Sequence, residues 1–241
     1  MHISFVKNLC SSALLFCLVS TPAWPALNET ERSVEQTGET LQPGRYELSI
    51  TKLMYGVSDG FMLETNYLYD LFSAPSLGAS MRFQLPKGLR ITPYARYFHS
   101  VAGKWDWATW RAGTTLGITR GERKQHSFAV TISGKSEPYL DLGGDDPETG
   151  FANDQATWRK RNRIWMGFDY SYYTPAGNLA FIGSDMMIPY MGFTWAWNHV
   201  HAGFLLVEMN SWSVNSYLPV NSKINANFSY FIPVPYVFLR F

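Results

Sequence analysis

The chain has 241 residues, a formal net charge of +1 at pH 7, and 16% aromatic residues that include 14 Tyr and 9 Trp. Near-neutral charge speaks against a nucleic-acid partner. After the N-terminus no stretch approaches the roughly 18 apolar residues that a spanning helix needs, which excludes a helical membrane protein.

The chain opens with Met1-His-Ile-Ser-Phe-Val-Lys7, an apolar stretch from Ala13 to Val19, and the small and turn residues Ser20 to Ala26. This is the layout of a secretory signal over residues 1–26, with cleavage after Ala23 or Ala26. Both cysteines, Cys10 and Cys17, fall inside it. The mature chain is therefore expected to lack a disulfide framework, a thiol nucleophile and a Cys-based metal site. Residues 27–43 are polar and acidic (Glu29, Glu31, Glu35, Glu39) and read as a periplasmic lead-in.

From Tyr46 onward, period-two alternation dominates. Phe61, Leu63, Thr65, Tyr67 and Tyr69 share one face, with Met62, Glu64, Asn66, Leu68 and Asp70 on the other. Leu77, Ala79, Met81, Phe83 and Leu85 oppose Gly78, Ser80, Arg82 and Gln84. The same pattern continues through Leu89–Tyr97, Trp110–Thr119, Ser127–Ser133 and Ile164–Tyr172. A soluble sandwich also alternates. Here, however, the polar face is rich in Gly, Ser and Thr and poor in Lys and Glu, as a crowded barrel interior requires. The fold expected for residues 44–241 is all-β: an antiparallel transmembrane β-barrel.

Turn lengths give a second pattern. Tight connections at Tyr55–Gly60, Pro86–Gly88, Arg120–Lys124, Thr174–Asn178 and Asn198–Val200 alternate with looser ones at Ser73–Leu77, Ser100–Asp106, Glu137–Arg161, Ser184–Tyr190 and Asn210–Asn227. Short turns on one rim and long loops on the other are a barrel signature. These connections define eleven strands, counting Glu47–Met54 as one. An even number is required, so twelve is expected and ten is the alternative. The missing strand is sought in the polar lead-in or in Asn210–Asn227; a false split near Gly183 would give ten.

The C-terminal run closes on Val237, Leu239 and Phe241. It resembles the signal by which outer-membrane barrels of Gram-negative bacteria are recognised by their insertion machinery. The run departs from the pattern at Pro233 and Pro235, which lack the N–H that a sheet ladder uses. The segment Tyr55-Gly-Val-Ser-Asp-Gly60, with the apolar strand after it, resembles the opening hairpins of uncharacterised predicted outer-membrane proteins. The resemblance implies a fold and a location in the bacterial outer membrane, without an activity.

Charges on the polar strand faces point inward in such a barrel, and buried charges need partners. The lumen-lining candidates are Glu64, Asp70 and Asp169 with Arg82, Arg90, Arg96, Arg111 and Arg240. Their Arg excess favours anions if water continues through, whereas in a plugged interior the same residues only pack. His199 and His201 share a face beside a tight turn, but no third metal ligand is evident. The acidic loop Asp141–Glu148 reads as a solvated loop or a Ca²⁺ site. Arg159-Lys-Arg161-Asn-Arg163 reads as a solvated strand start or a contact for lipopolysaccharide phosphates.

No catalytic residue, cofactor or metal is assigned. The expected function is a small channel or passive transport barrel. A non-conducting structural or surface-interaction barrel is the alternative, and a lipid-modifying enzyme the third reading. Expected partners are outer-membrane lipid and lipopolysaccharide, the insertion machinery through Phe241, and small solutes.

Overall fold

The computed structural model describes residues 37–67, 75–100, 107–121, 125–141, 157–174, 177–185, 188–197, 199–210 and 227–241. The signal segment 1–26, Asp70, the loop residues 142–148 and most of 210–227 lie outside these.

The described residues form twelve antiparallel strands. They are β1 (Tyr46–Ser49), β2 (Leu53–Ser58), β3 (Phe61–Thr65), β4 (Ser76–Met81, resuming at Phe83–Gln84), β5 (Leu89–Ser100) and β6 (Trp107–Arg120). Then come β7 (His126–Asp141), β8 (Thr157–Tyr173), β9 (Leu179–Asp185), β10 (Ile188–Ala196), β11 (Val200–Asn210) and β12 (Ser229–Arg240). The two pieces of β4 are one strand, because their register against β5 does not shift: Ser80 pairs with Tyr94 and Phe83 with Ile91. Each strand pairs with its sequence neighbours, and β1 pairs with β12 through Glu47↔Arg240 and Leu48↔Leu239. The sheet is a closed barrel.

The twelfth strand comes from a hairpin inside Glu47–Met54, which the alternation presents as a single strand. Neither Ile50 nor Thr51 at its tip is a usual turn residue. The turn closes instead through Ser49, whose N–H donates to the Lys52 carbonyl (2.8 Å) and whose hydroxyl accepts from the Lys52 N–H (3.0 Å). The Tyr67 hydroxyl reaches over to the carbonyls of Ser49 (2.8 Å) and Ile50 (2.6 Å). A tertiary contact thus does what glycine does elsewhere.

A second correction concerns the long loop expected over Glu137–Arg161. β7 and β8 pair without a break up to Asp141↔Thr157, so Arg159–Arg163 belongs to a strand. Charged and Gly-flanked sequence reads as loop, but a ladder needs only backbone groups and tolerates polar side chains beyond the bilayer.

The outer face carries large apolar side chains open to the surroundings: Ile164 is 85% exposed, Met166 64% and Leu77 62%. Moving one such side chain from water to hydrocarbon is worth about 1.5–3 kcal/mol. A belt of them places this wall in a bilayer. At the short-turn rim the outer face turns aromatic. Tyr46 stacks on Phe241 (5.2 Å between centroids), which stacks on His199 (5.4 Å). On the same rim the His126 Nδ1 lies 2.9 Å from the Tyr170 hydroxyl. Rings with one apolar and one polar side suit the membrane–water boundary.

Pro233 and Pro235 do not break the ladder. The Arg240 N–H donates to His199 of the turn before β11, and the Phe241 N–H donates to Tyr46 at the start of β1. Backbone groups alternate sides along a strand, so the positions of Pro233 and Pro235 face the β1 side. Pairing with β1 stops at Phe238. The missing donors therefore fall where the described residues provide no acceptor strand, while pairing with β11 runs on through Leu206↔Pro233 to Asn210↔Ser229.

Candidate functional site: the barrel lumen

Small luminal residues make room for long ones. A Cβ at Gly117 would sit 2.5 Å from Nε of Arg90, and one at Gly203 would sit 2.7 Å from the Tyr236 ring. Along β8–β12 the lumen is filled by a cluster of Tyr173, Leu179, Phe181 and Ala196 with Tyr190, Leu205 and Tyr236 against it. Arginines line the opposite wall.

The end of the lead-in enters this space. Residues 37–42 lie against the luminal faces of β2–β6. The Thr37 carbonyl accepts from Arg90 Nε (2.7 Å), and the Gly38 carbonyl accepts from the Thr92 hydroxyl (2.6 Å). Glu39 binds Arg82 Nη1 (2.7 Å) and lies 3.4 Å from Arg90 Nη1. Leu41 packs on Met54 and Met62. Two glycines permit this. Gly38 has φ +66°, and a Cβ there would stand 2.6 Å from Thr115 Cγ2, while a Cβ at Gly56 would strike the Gln42 backbone.

The sequence-derived lumen candidates divide into two groups. Arg90 is 2% exposed, and its guanidinium is also taken up by the hydroxyls of Thr119 (2.6 Å) and Ser127 (2.6 Å). Arg82 joins Glu39 to Asp59 (2.9 Å) at the short-turn rim. Arg240 is locked to Glu47, its Nε donating at 3.0 Å. These three hold the inner segment and the seam.

Glu64, Arg96, Arg111 and Asp169 instead border open space. Arg96 donates to Glu64 and lies 5.2 Å above the Tyr94 ring, with Arg111 over the same ring at 6.0 Å. Arg111 reaches across the lumen to Asp185, with N–O distances of 3.1 and 3.3 Å. Asp169 accepts from the Tyr190 hydroxyl.

This layer separates two cavities. The one toward the long-loop rim has about 630 Å³ and includes Lys52, Glu64, Arg96, Arg111 and Lys135 in its lining. The one below has about 320 Å³ and is bordered by Glu39, Asp169 and Asp185 as well as Arg96 and Arg111. Arg96 and Arg111 border both.

Sequence reasoning missed Glu39, Glu47, Lys52, Lys135 and Asp185. Strand parity would have found Lys135, which pairs with Arg111 across β6–β7. The inward course of Glu39 had no local signal. His199 and His201 do not share a face, because the turn breaks the alternation. His199 stacks outside on Phe241, whereas His201 is 1% exposed inside, with its ring 4.6 Å from Phe238.

Closed strand order, an apolar outer belt and a charged, partly filled interior define a transmembrane β-barrel. No family model matches this chain, and no curated protein matches it. Among solved structures it is similar to the NanC porin in a rhombohedral crystal form. That similarity has 9% identity and a TM-score of 0.45, and it covers 81% of this chain and 96% of the porin.

Proposed function

We propose that this protein is a small channel of the bacterial outer membrane that admits anionic solutes from the long-loop side, with segment 37–42 limiting their passage. The carrying observation is the pair of cavities in series, about 630 and 320 Å³, meeting at Arg96 and Arg111. Fixed cations at a constriction with low-dielectric walls concentrate anions there. On this reading residues 1–26 direct export and 27–43 lead in from the periplasm. Phe241 engages the insertion machinery, and lipid and lipopolysaccharide surround the wall.

Planar-bilayer recording tests it. The intact chain is expected to give small, anion-preferring currents, and a chain shortened to begin at Pro43 is expected to give larger ones. A second reading, a non-conducting structural or surface-interaction barrel, draws on the same inner segment together with the packed Tyr173–Leu179–Phe181 side of the lumen. If neither chain conducts at any voltage, that second reading replaces the first.

A further inference from the structure

Two ion pairs of this barrel use the same chemistry in different surroundings. Arg240 and Glu47 join neighbouring strands at the seam, where their side chains are 3% and 7% exposed. Arg111 and Asp185 lie on β6 and β9, with β7 and β8 between them, and their side chains are 21% and 41% exposed. The second pair therefore spans lumen instead of bracing a seam, and solvent reaches both of its charges. A wet ion pair contributes little to stability and exchanges partners readily; a dry one does not.

The two ends of this pair are held unequally. Arg111 is anchored on its own side of the lumen: its Nε donates to the Ser133 hydroxyl at 3.3 Å, and its guanidinium lies 6.0 Å from the centre of the Tyr94 ring. The oxygens of Asp185 accept from Nη1 and Nη2 of Arg111 at 3.3 and 3.1 Å, with no second hold among the described residues. When the pair parts, Arg111 stays in place and Asp185 is the group that leaves. The other pair of this layer has a firmer carboxylate, since Glu64 is 8% exposed and lies 3.9 Å from Lys52 as well as engaging Arg96. Arg111 borders both cavities and Asp185 the lower one.

We propose that the pair of Arg111 and Asp185 is a charge-exchange gate between the two cavities, and that Asp185 sets which solutes cross it. The fork of Nη1 and Nη2 that holds two carboxylate oxygens of Asp185 holds two oxygens of a carboxylate, phosphate or sulfonate in the same way. Such a solute displaces Asp185 from Arg111 and enters the lower cavity. A cation or a neutral solute offers Arg111 nothing in exchange, so the pair stays closed against it.

This rests on the channel reading and deepens it by naming the selective contact. Entry into the lower cavity needs no passage through the whole barrel, so failure of the gate and failure to conduct are separate results.

The test is the rate at which a thiol in the lower cavity is modified in the full, detergent-solubilised chain. The reagents are anionic sulfonatoethyl methanethiosulfonate and its cationic trimethylammonium counterpart. Thr131→Cys supplies the thiol, since Thr131 lines that cavity, and the chain without it gives the background. Asp185→Asn is expected to raise the ratio of anionic to cationic rates about tenfold, and Arg111→Gln to lower it by a similar factor. Asp169→Asn removes a carboxylate that lines the same cavity and bonds Tyr190, not Arg111. It should move the ratio by less than about threefold. A thiol in the upper cavity, from Thr109→Cys, should react at rates that Asp185→Asn leaves unchanged. The heat-modifiable gel shift checks that each variant is folded. The proposal is overturned if Asp185→Asn and Arg111→Gln speed both reagents alike, which marks a steric brace. It is equally overturned if Asp169→Asn matches Asp185→Asn, which marks the mean charge of the cavity, or if neither gate variant changes the ratio.

Discussion

Arg240 and Glu47 clamp the barrel shut from inside. The Nε of Arg240 donates to Glu47 Oε2 at 3.0 Å, and Nη2 meets the same oxygen. Their side chains are 3% and 7% exposed, and their backbones are cross-strand partners where β12 meets β1. One ion pair therefore joins the first and last strands. With β1 only four residues long, few backbone hydrogen bonds are available to help it.

Removing one partner should weaken closure strongly. Glu47→Ala takes this carboxylate away from a buried guanidinium, a loss of about 3–5 kcal/mol. Urea unfolding in detergent, read by the heat-modifiable gel shift, is expected to show a lower midpoint. The exchanged pair Glu47→Arg with Arg240→Glu should recover part of it. An unchanged midpoint for Glu47→Ala would show that the seam does not depend on this pair.

His201 carries a cost that another side chain would avoid. It is 1% exposed on the luminal face, and neither ring nitrogen has a hydrogen-bond partner among the described residues. A buried polar group without a partner costs about 1–3 kcal/mol. Leucine at this site keeps most of the volume, so His201→Leu is expected to raise the unfolding midpoint. A marked drop would mean that the imidazole supplies something beyond its stack on Phe238.

Segment 37–42 can be dislodged without touching the wall. Gly38 combines a φ of +66° with a Cβ position 2.6 Å from Thr115. Gly38→Val should displace the segment and raise conductance in planar bilayers, while the strand content by circular dichroism stays unchanged. Glu39→Gln should act in the same direction but less strongly, since it removes a charge that both Arg82 and Arg90 engage. Conductance identical to the parent in both variants would exclude the segment as the limiting element.

Pro235 protects an edge. Its absent N–H lies on the side where pairing with β1 has ended, so Pro235→Ala removes no ladder bond and should shift stability by less than about 0.5 kcal/mol. It does add a free donor to an exposed edge, which invites pairing with another chain. Crosslinking in detergent is expected to show more dimer than in the parent. A stability loss of several kcal/mol instead would place the proline inside a working ladder.

Much of the architecture was written locally. Alternation identified the wall segments and their inward and outward faces, and turn lengths separated the two rims, because both depend on neighbours one or two positions apart. The hairpin at Ile50-Thr51 escaped because its closure comes from the side chains of Ser49 and Tyr67, not from turn residues. The extent of β7 and β8 escaped because backbone pairing overrides the loop-like composition of Glu137–Arg161.

The sequence by itself determined that this is a barrel wall, which of its faces is apolar, and which arginines alternate with that face. Only the tertiary structure decided what those arginines do. Arg90, Arg82 and Arg240 are consumed by Thr37, Glu39 and Glu47, while Arg96 and Arg111 remain at the open layer. The reason is physical. A strand fixes the direction of a side chain by parity, but its partner is set by what lies across the lumen, and no local pattern records that the polar lead-in folds back inside.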